Sequence, residues 1–298
     1  MIFTKQSWEL APQDFSGDLR KGMEKQIELV AKNCYGAQHN ITDSSYAKFV
    51  EGLVNSKHYA PLEFGEVYLC LSQIKSPSHP HSSLANFFDK SAYSKIVNQE
   101  FISTNYRVLV ENDLTELLDY AVVPTEYHLR QRTVKLITNR QIMAEITRHR
   151  SASFCIESSR YCNYTKSKFG SSLTFITPSW CNHDFTEITG TYAAKKRQIL
   201  EFYESHPEEK KTYLWLMGAL EDEDYYFGMI EEGFPVEYAA QGISNRVKTS
   251  IYISAYAGVQ GEGWNHIFDL RSSTALTGKP HSQMVELMDP IKKCFAKL

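Results

Sequence analysis

Apolar residues change their spacing several times along this chain, and each change marks a change of backbone. Over residues 17–56, Leu19, Met23, Ile27, Val30 and Cys34 recur every three or four positions, and a second run passes through Tyr46, Phe49, Val50 and Leu53, which predicts helix. Over 64–72 the period drops to two. There Val67, Leu69 and Leu71 alternate with Glu66, Tyr68 and Cys70, the pattern of a strand with one face in a core. Residues 75–83, with Pro77, Pro80 and four serines, read as loop. Short helices through Phe87 and over 114–120 follow, interleaved with a strand-like stretch at 106–111. A second long strand is expected over 132–138 and a short helix over 141–147. Beyond Pro178 amphipathic helices are expected over 185–205 and 208–232, the second stopped by Gly233 and Pro235. Another begins near Val236, and the last covers 281–296. Helices and strands mixed in this way, without repeat or linker, predict an α+β fold. We read one domain over 1–298, with about 75–130 as an elaboration of it.

Charge narrows the function. The chain has 32 Lys+Arg against 35 Asp+Glu, a formal net charge of −3. That balance gives no reason to expect a nucleic-acid polymer or a membrane as partner. The average hides a basic island. Residues 128–168 hold nine Lys/Arg, Lys168 the last, against only Glu145 and Glu157, which leaves −10 for the rest. Such an island predicts an anion site of phosphate size. No stretch approaches the ~18 consecutive apolar residues of a spanning helix, and no export signal is evident. The six cysteines (Cys34, Cys70, Cys155, Cys162, Cys181, Cys294) form no C-x-x-C pair. A cytoplasmic protein with free thiols is expected.

Several common sites are missing: there is no P-loop, no G-x-G-x-x-G after a strand and no zinc-deaminase pattern. Gly258, Gly261 and Gly263 read as a simple loop before Trp264, and His79-Pro80-His81 as a surface loop without metal. The informative run is 148–161. Arg148-His149-Arg150 is followed by Ser151, Ser153, Cys155, Glu157, Ser158, Ser159, Arg160 and Tyr161, with neither Gly nor Pro. Guanidinium forks and hydroxyls of this kind suit a phosphate. A solvated basic turn whose serines cap a helix accounts for the same composition equally well.

Arg148-His149-Arg150, seven residues and then Ser158 resemble the RHR-x7-S hallmark of the flavin-dependent thymidylate synthases, the ThyX family. The likeness extends to Ser153, to Ser158-x-Arg160-Tyr161 and to Phe175-Ile-Thr-Pro178. The segment from His58 to Glu63 resembles the family's GH-x-S-x-x-EH, and that from Trp264 to Arg271 its W-x-H-F-x-x-LR. Glu237-Tyr-Ala239 falls where the family has E-x-AR, with Thr249 at the spacing of the following threonine. Four motifs in one order are far more specific than any one alone. The resemblance implies a single domain with a curved antiparallel sheet flanked by helices, and a homotetramer with shared active sites. It implies reductive methylation of dUMP at C5, with FAD as cofactor and NADPH and methylenetetrahydrofolate as co-substrates. Arg148, His149, Arg150, His58, Asn265 and His266 would then contact FAD. Arg148, Ser158, Ser159 and Arg160 would line the nucleotide. Arg271 would sit against the pyrimidine as the catalytic cation. Family members pass almost directly from the strand after the H-x4-E segment to the strand before RHR, so 75–130 reads as an insertion.

The pattern breaks at contact positions. Glu145 stands where Gln is usual, Cys155 for Asn, Ile156 for Glu, Ala240 for Arg and Ser244 for Pro. Glu145 would repel a phosphate unless paired with Arg148 or Arg160. Gln241 or Arg246 would make up for the Arg missing at 240, and Glu157 for the Glu missing at 156. Three readings stay open: a dUMP methylase with a rearranged phosphate clamp, a related flavoenzyme for another pyrimidine nucleotide, and a flavin- or nucleotide-binding paralogue without turnover. Cys155 is either a packed thiol or, in an Arg-rich setting, a nucleophile.

Overall fold

The computed structural model describes residues 1–76, 78–166 and 169–298. Pro77 of the expected loop and Lys168 of the basic island therefore lie outside the described residues. In chain order the elements are β1 (Ile2–Thr4), β2 (Ser7–Leu10), α1 (Leu19–Asn33), α2 (Tyr46–Asn55), β3 (Glu66–Cys70), α3 (His81–Lys90), β4 (Lys95–Val97), β5 (Phe101–Asn105) and α4 (Tyr106–Glu111). There follow β6 (Gln131–Asn139), α5 (Arg140–Ile146), β7 (Ser153–Ile156), β8 (Thr174–Ile176), α6 (Tyr192–Ser205), α7 (Lys210–Glu231), α8 (Val236–Ala239), β9 (Lys248–Tyr256), α9 (Gly263–Arg271) and α10 (Ser282–Phe295). The fold is α+β, as expected.

Among the described residues the strands form three sheets. The central one, in the order β2-β6-β9-β7, is antiparallel throughout, and a second antiparallel sheet has the order β3-β5-β4. The short β1-β8 pair is parallel. Period-two alternation in the central sheet separates two cores. Val134 and Leu136 of β6 and Ile251 and Ile253 of β9 pack against Ile142 and Ile146 of α5, Trp264 and Phe268 of α9, and Leu287 of α10. On the opposite face Tyr252 and Cys155 meet Val30 of α1. The Trp264 indole N–H donates to the Arg132 carbonyl at 2.8 Å, pinning α9 to β6.

Residues 75–130 do not stand apart from the N-terminal half. Phe88, Ile102, Leu109 and Leu117 share one core with Met23 and Ile27 of α1, Val50 of α2 and Leu69 of β3. Two readings of this region need correction. Residues 106–111 are helix α4, not strand, because the Asn105 side chain accepts from the Val108 N–H at 3.1 Å and caps a turn that buries Val108 and Leu109. β3 is buried at every position rather than on one face. Glu66 is tolerated inside because its carboxyl accepts from the Tyr68 hydroxyl at 2.5 Å.

Other boundaries move as well. The helix expected from 185 starts only at Tyr192, where the Thr191 side chain caps it. The helix expected from Val236 stops after one turn and passes into a 3-10 turn, Ala240–Gly242. Gly263 opens a helix, contrary to the simple-loop reading, and a Cβ there would lie 2.2 Å from the Tyr256 carbonyl oxygen. His79 pairs with Glu116 and His81 with the Ile74 carbonyl, so the two imidazoles serve different local contacts.

Candidate active site

The Arg148-His149-Arg150 segment is neither extended nor helical. β6 ends at Asn139, whose side chain accepts from the Ile142 N–H at 2.9 Å and starts α5. Ile142 and Ile146 turn one face of α5 into the core, and His149, three residues further, continues that inward line through a turn closed by His149 N–H to Ile146 and Ala152 N–H to His149. His149 is 4% exposed, while Arg148 and Arg150 lie on the surface. Neither arginine forms an ion pair among the described residues.

Helix α9 brings the second half of this site. Trp264, Ile267 and Phe268 anchor its buried face, which leaves His266 and the final Arg271 turned toward α5. The Arg271 Nε–H donates to His149 Nε2 at 3.1 Å. Its Nη1 meets Glu145 Oε2 at 3.4 Å, and Nη2 donates to the Glu145 carbonyl at 3.3 Å. The His149 and His266 rings meet edge to face, with centroids 5.5 Å apart. Burial, then the charges of Arg271 and His266, push His149 down to about 4. His149 is therefore neutral at pH 7, and since Nε2 accepts, its proton sits on Nδ1. Glu145 pairs with Arg271 and not with Arg148 or Arg160, the partners considered from sequence.

A second group lies across the sheet. The Glu157 carboxylate, 6% exposed, accepts from Lys248 Nζ at 2.7 Å and from the Tyr164 hydroxyl at 3.0 Å. Ser158 follows, its N–H bound to the Cys34 carbonyl at 2.9 Å. Ser159 is half-buried, and Arg160, well exposed, reaches Glu237 at 3.4 Å. Gln241 is exposed on its 3-10 turn. Arg246 is held by Asp222 at 3.4 Å and the Trp215 carbonyl at 3.3 Å. Cys155 is buried against Val30 and its thiol is pushed well above the usual range, by its hydrogen bond to Cys34 first and by burial next, which favours the packed-thiol reading in the resting protein.

A third group ties the N-terminal motif to β7. Glu63 accepts from the Ser153 hydroxyl and pairs with Arg107 at 2.5 Å, while His58, exposed just after α2, lies five residues before it. Asn265 is half-buried on α9. Beside Arg150 and Ser153 is a cleft of about 150 Å³, where Tyr93, Lys95 and Asn105 face these two residues and Glu262. Larger hollows exist: one of about 520 Å³ between α6 and α7 has no motif residue in its lining, one of about 450 Å³ is lined by Pro178, Ser244 and Arg246, and one of about 390 Å³ by Tyr164 and Lys248.

Arg107, Lys95, Tyr164 and Lys248 were not singled out from sequence. Lys248 had one signal, its place beside Thr249. The basic island itself divides in space: Arg130 stacks against Phe15 and Tyr68, at 5.3 and 5.5 Å, and Lys135 pairs with Glu9 at 3.0 Å. Among the described residues it does not form one positive wall.

Among protein families, the thymidylate synthase complementing protein model matches residues 127–296, more than half of the chain. No curated protein matches. Among solved structures, the UMP/dUMP methylase PolB from Streptomyces cacaoi bound with 5-Br dUMP aligns over 100% of this chain and 93% of its own, at 12% identity and a TM-score of 0.43. Thymidylate Synthase X (ThyX) from Helicobacter pylori with FAD and dUMP aligns over 55% of this chain and 66% of its own, at 16% identity and a TM-score of 0.34. With the family match covering the RHR turn, β7, β9 and α9 in one span, this chain belongs to the thymidylate synthase complementing protein family, the ThyX family, as a divergent member.

Proposed function

We propose that the chain is a FAD-dependent methyltransferase that converts dUMP to dTMP, with methylenetetrahydrofolate as carbon donor and NADPH as reductant. The contact of Arg271 with Glu145 and His149 carries this reading. It joins the RHR turn to the last motif, 126 residues apart between Glu145 and Arg271, in one charged cluster. Bound flavin supplies the hydride chemistry that no side chain has. The donor set fits it: among the described residues Arg148 and Arg150 keep guanidinium donors uncommitted to carboxylates, so both would hold an anionic cofactor, with His149, His266, Asn265 and His58 at its border. Arg271 is oriented in advance by Glu145 and His149. A cation so fixed stabilises negative charge developing at N3 and O4 of a pyrimidine without reorganising. Ser158, Ser159 and Arg160 would take the nucleotide phosphate, with Glu145, Glu157 and Gln241 near the nucleotide.

The cleft at Arg150, about 150 Å³, is smaller than the ~300–1,000 Å³ typical of ligand sites. That size supports a pocket completed by another copy, as in a homotetramer with shared active sites. We read 75–130 as an insertion into a single domain, 1–298, its residues Tyr93 and Lys95 bordering that pocket.

A second reading, another pyrimidine nucleotide as substrate, is favoured by one observation: Glu145 brings a carboxylate to Arg271 at 3.4 Å, and Ala240 brings no cation in return. The test is the flavin absorbance of the purified protein together with tritium release from 5-tritiated dUMP, given NADPH and methylenetetrahydrofolate. Flavin bands with release support the proposal. Flavin with release only from 5-tritiated UMP selects the second reading, and failure to bind added FAD refutes both.

A further inference from the structure

Cys34 and Cys155 are 121 residues apart in the chain, yet their Sγ atoms lie 3.2 Å from each other. Closing to a disulfide, at ~2.03–2.05 Å, needs a further approach of about 1.2 Å. The two thiols differ in access and environment. Cys34 caps the C-terminal end of α1 and is half-buried; Cys155 sits inside β7 and is 5% exposed, its sulfur 3.0 Å from the Val30 carbonyl oxygen. The hydrogen bond from Cys155, with one from the Ile156 N–H, holds the Cys34 thiol below its usual range, while Cys155 is held well above. One thiol is poised to ionise where reagents reach it, and the other stays protonated beside it. Cys162, fully buried, points its sulfur at the Cys34 carbonyl at 3.7 Å.

From this geometry we propose that Cys34 and Cys155 form a reversible oxidation site that closes to an intramolecular disulfide on contact with hydrogen peroxide. The Cys34 thiolate attacks a peroxide oxygen: an S–O bond forms, the O–O bond breaks, and the hydroxide released takes a proton to become water. The Cys155 sulfur then attacks the Cys34 sulfenic acid. An S–S bond forms, the S–O bond breaks, and the departing hydroxide leaves as a second water with the Cys155 proton. Two thiols lose two electrons and the peroxide gains them. The bond would draw the end of α1 toward β7 beside Ser158, whose N–H rests on the Cys34 carbonyl at 2.9 Å, so oxidation acts on the segment 157–162. This inference goes beyond the proposed activity and does not depend on it.

The test treats the native protein with hydrogen peroxide, blocks remaining thiols with N-ethylmaleimide, and maps linked peptides by mass. The expected product is a single Cys34–Cys155 linkage, lighter by two hydrogens and reversed by dithiothreitol. Amide hydrogen exchange across 157–162 should change about tenfold on oxidation. In Cys155→Ser the reaction stops at a Cys34 sulfenic acid that dimedone traps. A Cys34–Cys162 or intermolecular linkage, or Cys34 passing to sulfinic acid with no linked peptide, overturns the proposal. Unchanged exchange across 157–162 overturns its coupling to that segment. Because the mapping uses the unaltered chain, it decides the matter even if the variant misfolds.

Discussion

Glu66→Gln isolates the pH dependence of one buried acid. Glu66 opens β3 at 4% exposure, its backbone N–H and carbonyl are both bonded to the Gln13 side chain, and its carboxyl has the Tyr68 hydroxyl. No ion pair to it occurs among the described residues. Burial pushes it up to about 7 from the ordinary 4.5, against smaller opposing pulls from Tyr68, Arg130 and Arg132. Between those values the folded chain keeps a proton that the unfolded chain has lost. Stability from this group is therefore fully present below pH 4.5 and is lost as pH rises through 7. At ~1.36 kcal/mol per pH unit the loss comes to about 3 kcal/mol.

Gln retains an acceptor for Tyr68 but does not titrate. Measured by urea unfolding from pH 4.5 to 7.5, Glu66→Gln should therefore gain about 3 kcal/mol on the wild type across that range. His149 acts in the opposite sense. Its folded value of about 4 lies below the ordinary 6.5, so the unfolded chain binds the extra proton and stability rises with pH through that window. Both proteins carry His149, so it cancels in the difference. A difference that stays constant with pH would refute the reasoning, and a fall would assign the effect to another group.

Three further outcomes follow from the site. Arg271→Ala should abolish tritium release while flavin binding persists, and NMR titration should find His149 above about 4, since a neighbouring cation is gone; an unmoved value would put the whole depression down to burial. Arg107→Ala and Glu63→Gln, combined in a double-mutant cycle by urea unfolding, should show a coupling of ~1–2 kcal/mol, the lower part of the charged hydrogen-bond range because Arg107 is 28% exposed; coupling near zero would detach the 75–130 segment from the Glu63–Ser153 contact. Lys248→Met leaves the Glu157 carboxylate buried with Tyr164 as its remaining side-chain donor and should cost ~3–5 kcal/mol, most of it recovered on adding Glu157→Gln. A cost below about 1 kcal/mol would mean that the Tyr164 hydroxyl suffices.

The legible parts of this protein are those in which one segment states its own structure. The spacing of Met23, Ile27 and Val30 specifies the buried face of α1, and the ordered motifs around Arg148, Ser158 and Trp264 indicate the family without any knowledge of contacts. Where local signals competed, sequence reading failed. Residues 106–111 alternate like a strand, but the cap at Asn105 and the shared core make them helix. β3 alternates in sequence but is buried at every position, because Phe15 and His128 cover the Tyr68 side while the shared core covers Val67 and Leu69.

What the sequence determined by itself was the period of each element and the chemistry each motif offers. Only the tertiary structure decided the partners: Glu145 with Arg271, Glu157 with Lys248, Glu63 with Arg107, Cys34 beside Cys155. The physical reason is distance along the chain. Periodicity reports which way a side chain points within its own helix or strand. Which charge or thiol it meets depends on segments tens to more than a hundred residues away, brought within reach by the register of β6, β9 and β7 and the packing of α1 and α9 on either side of that sheet.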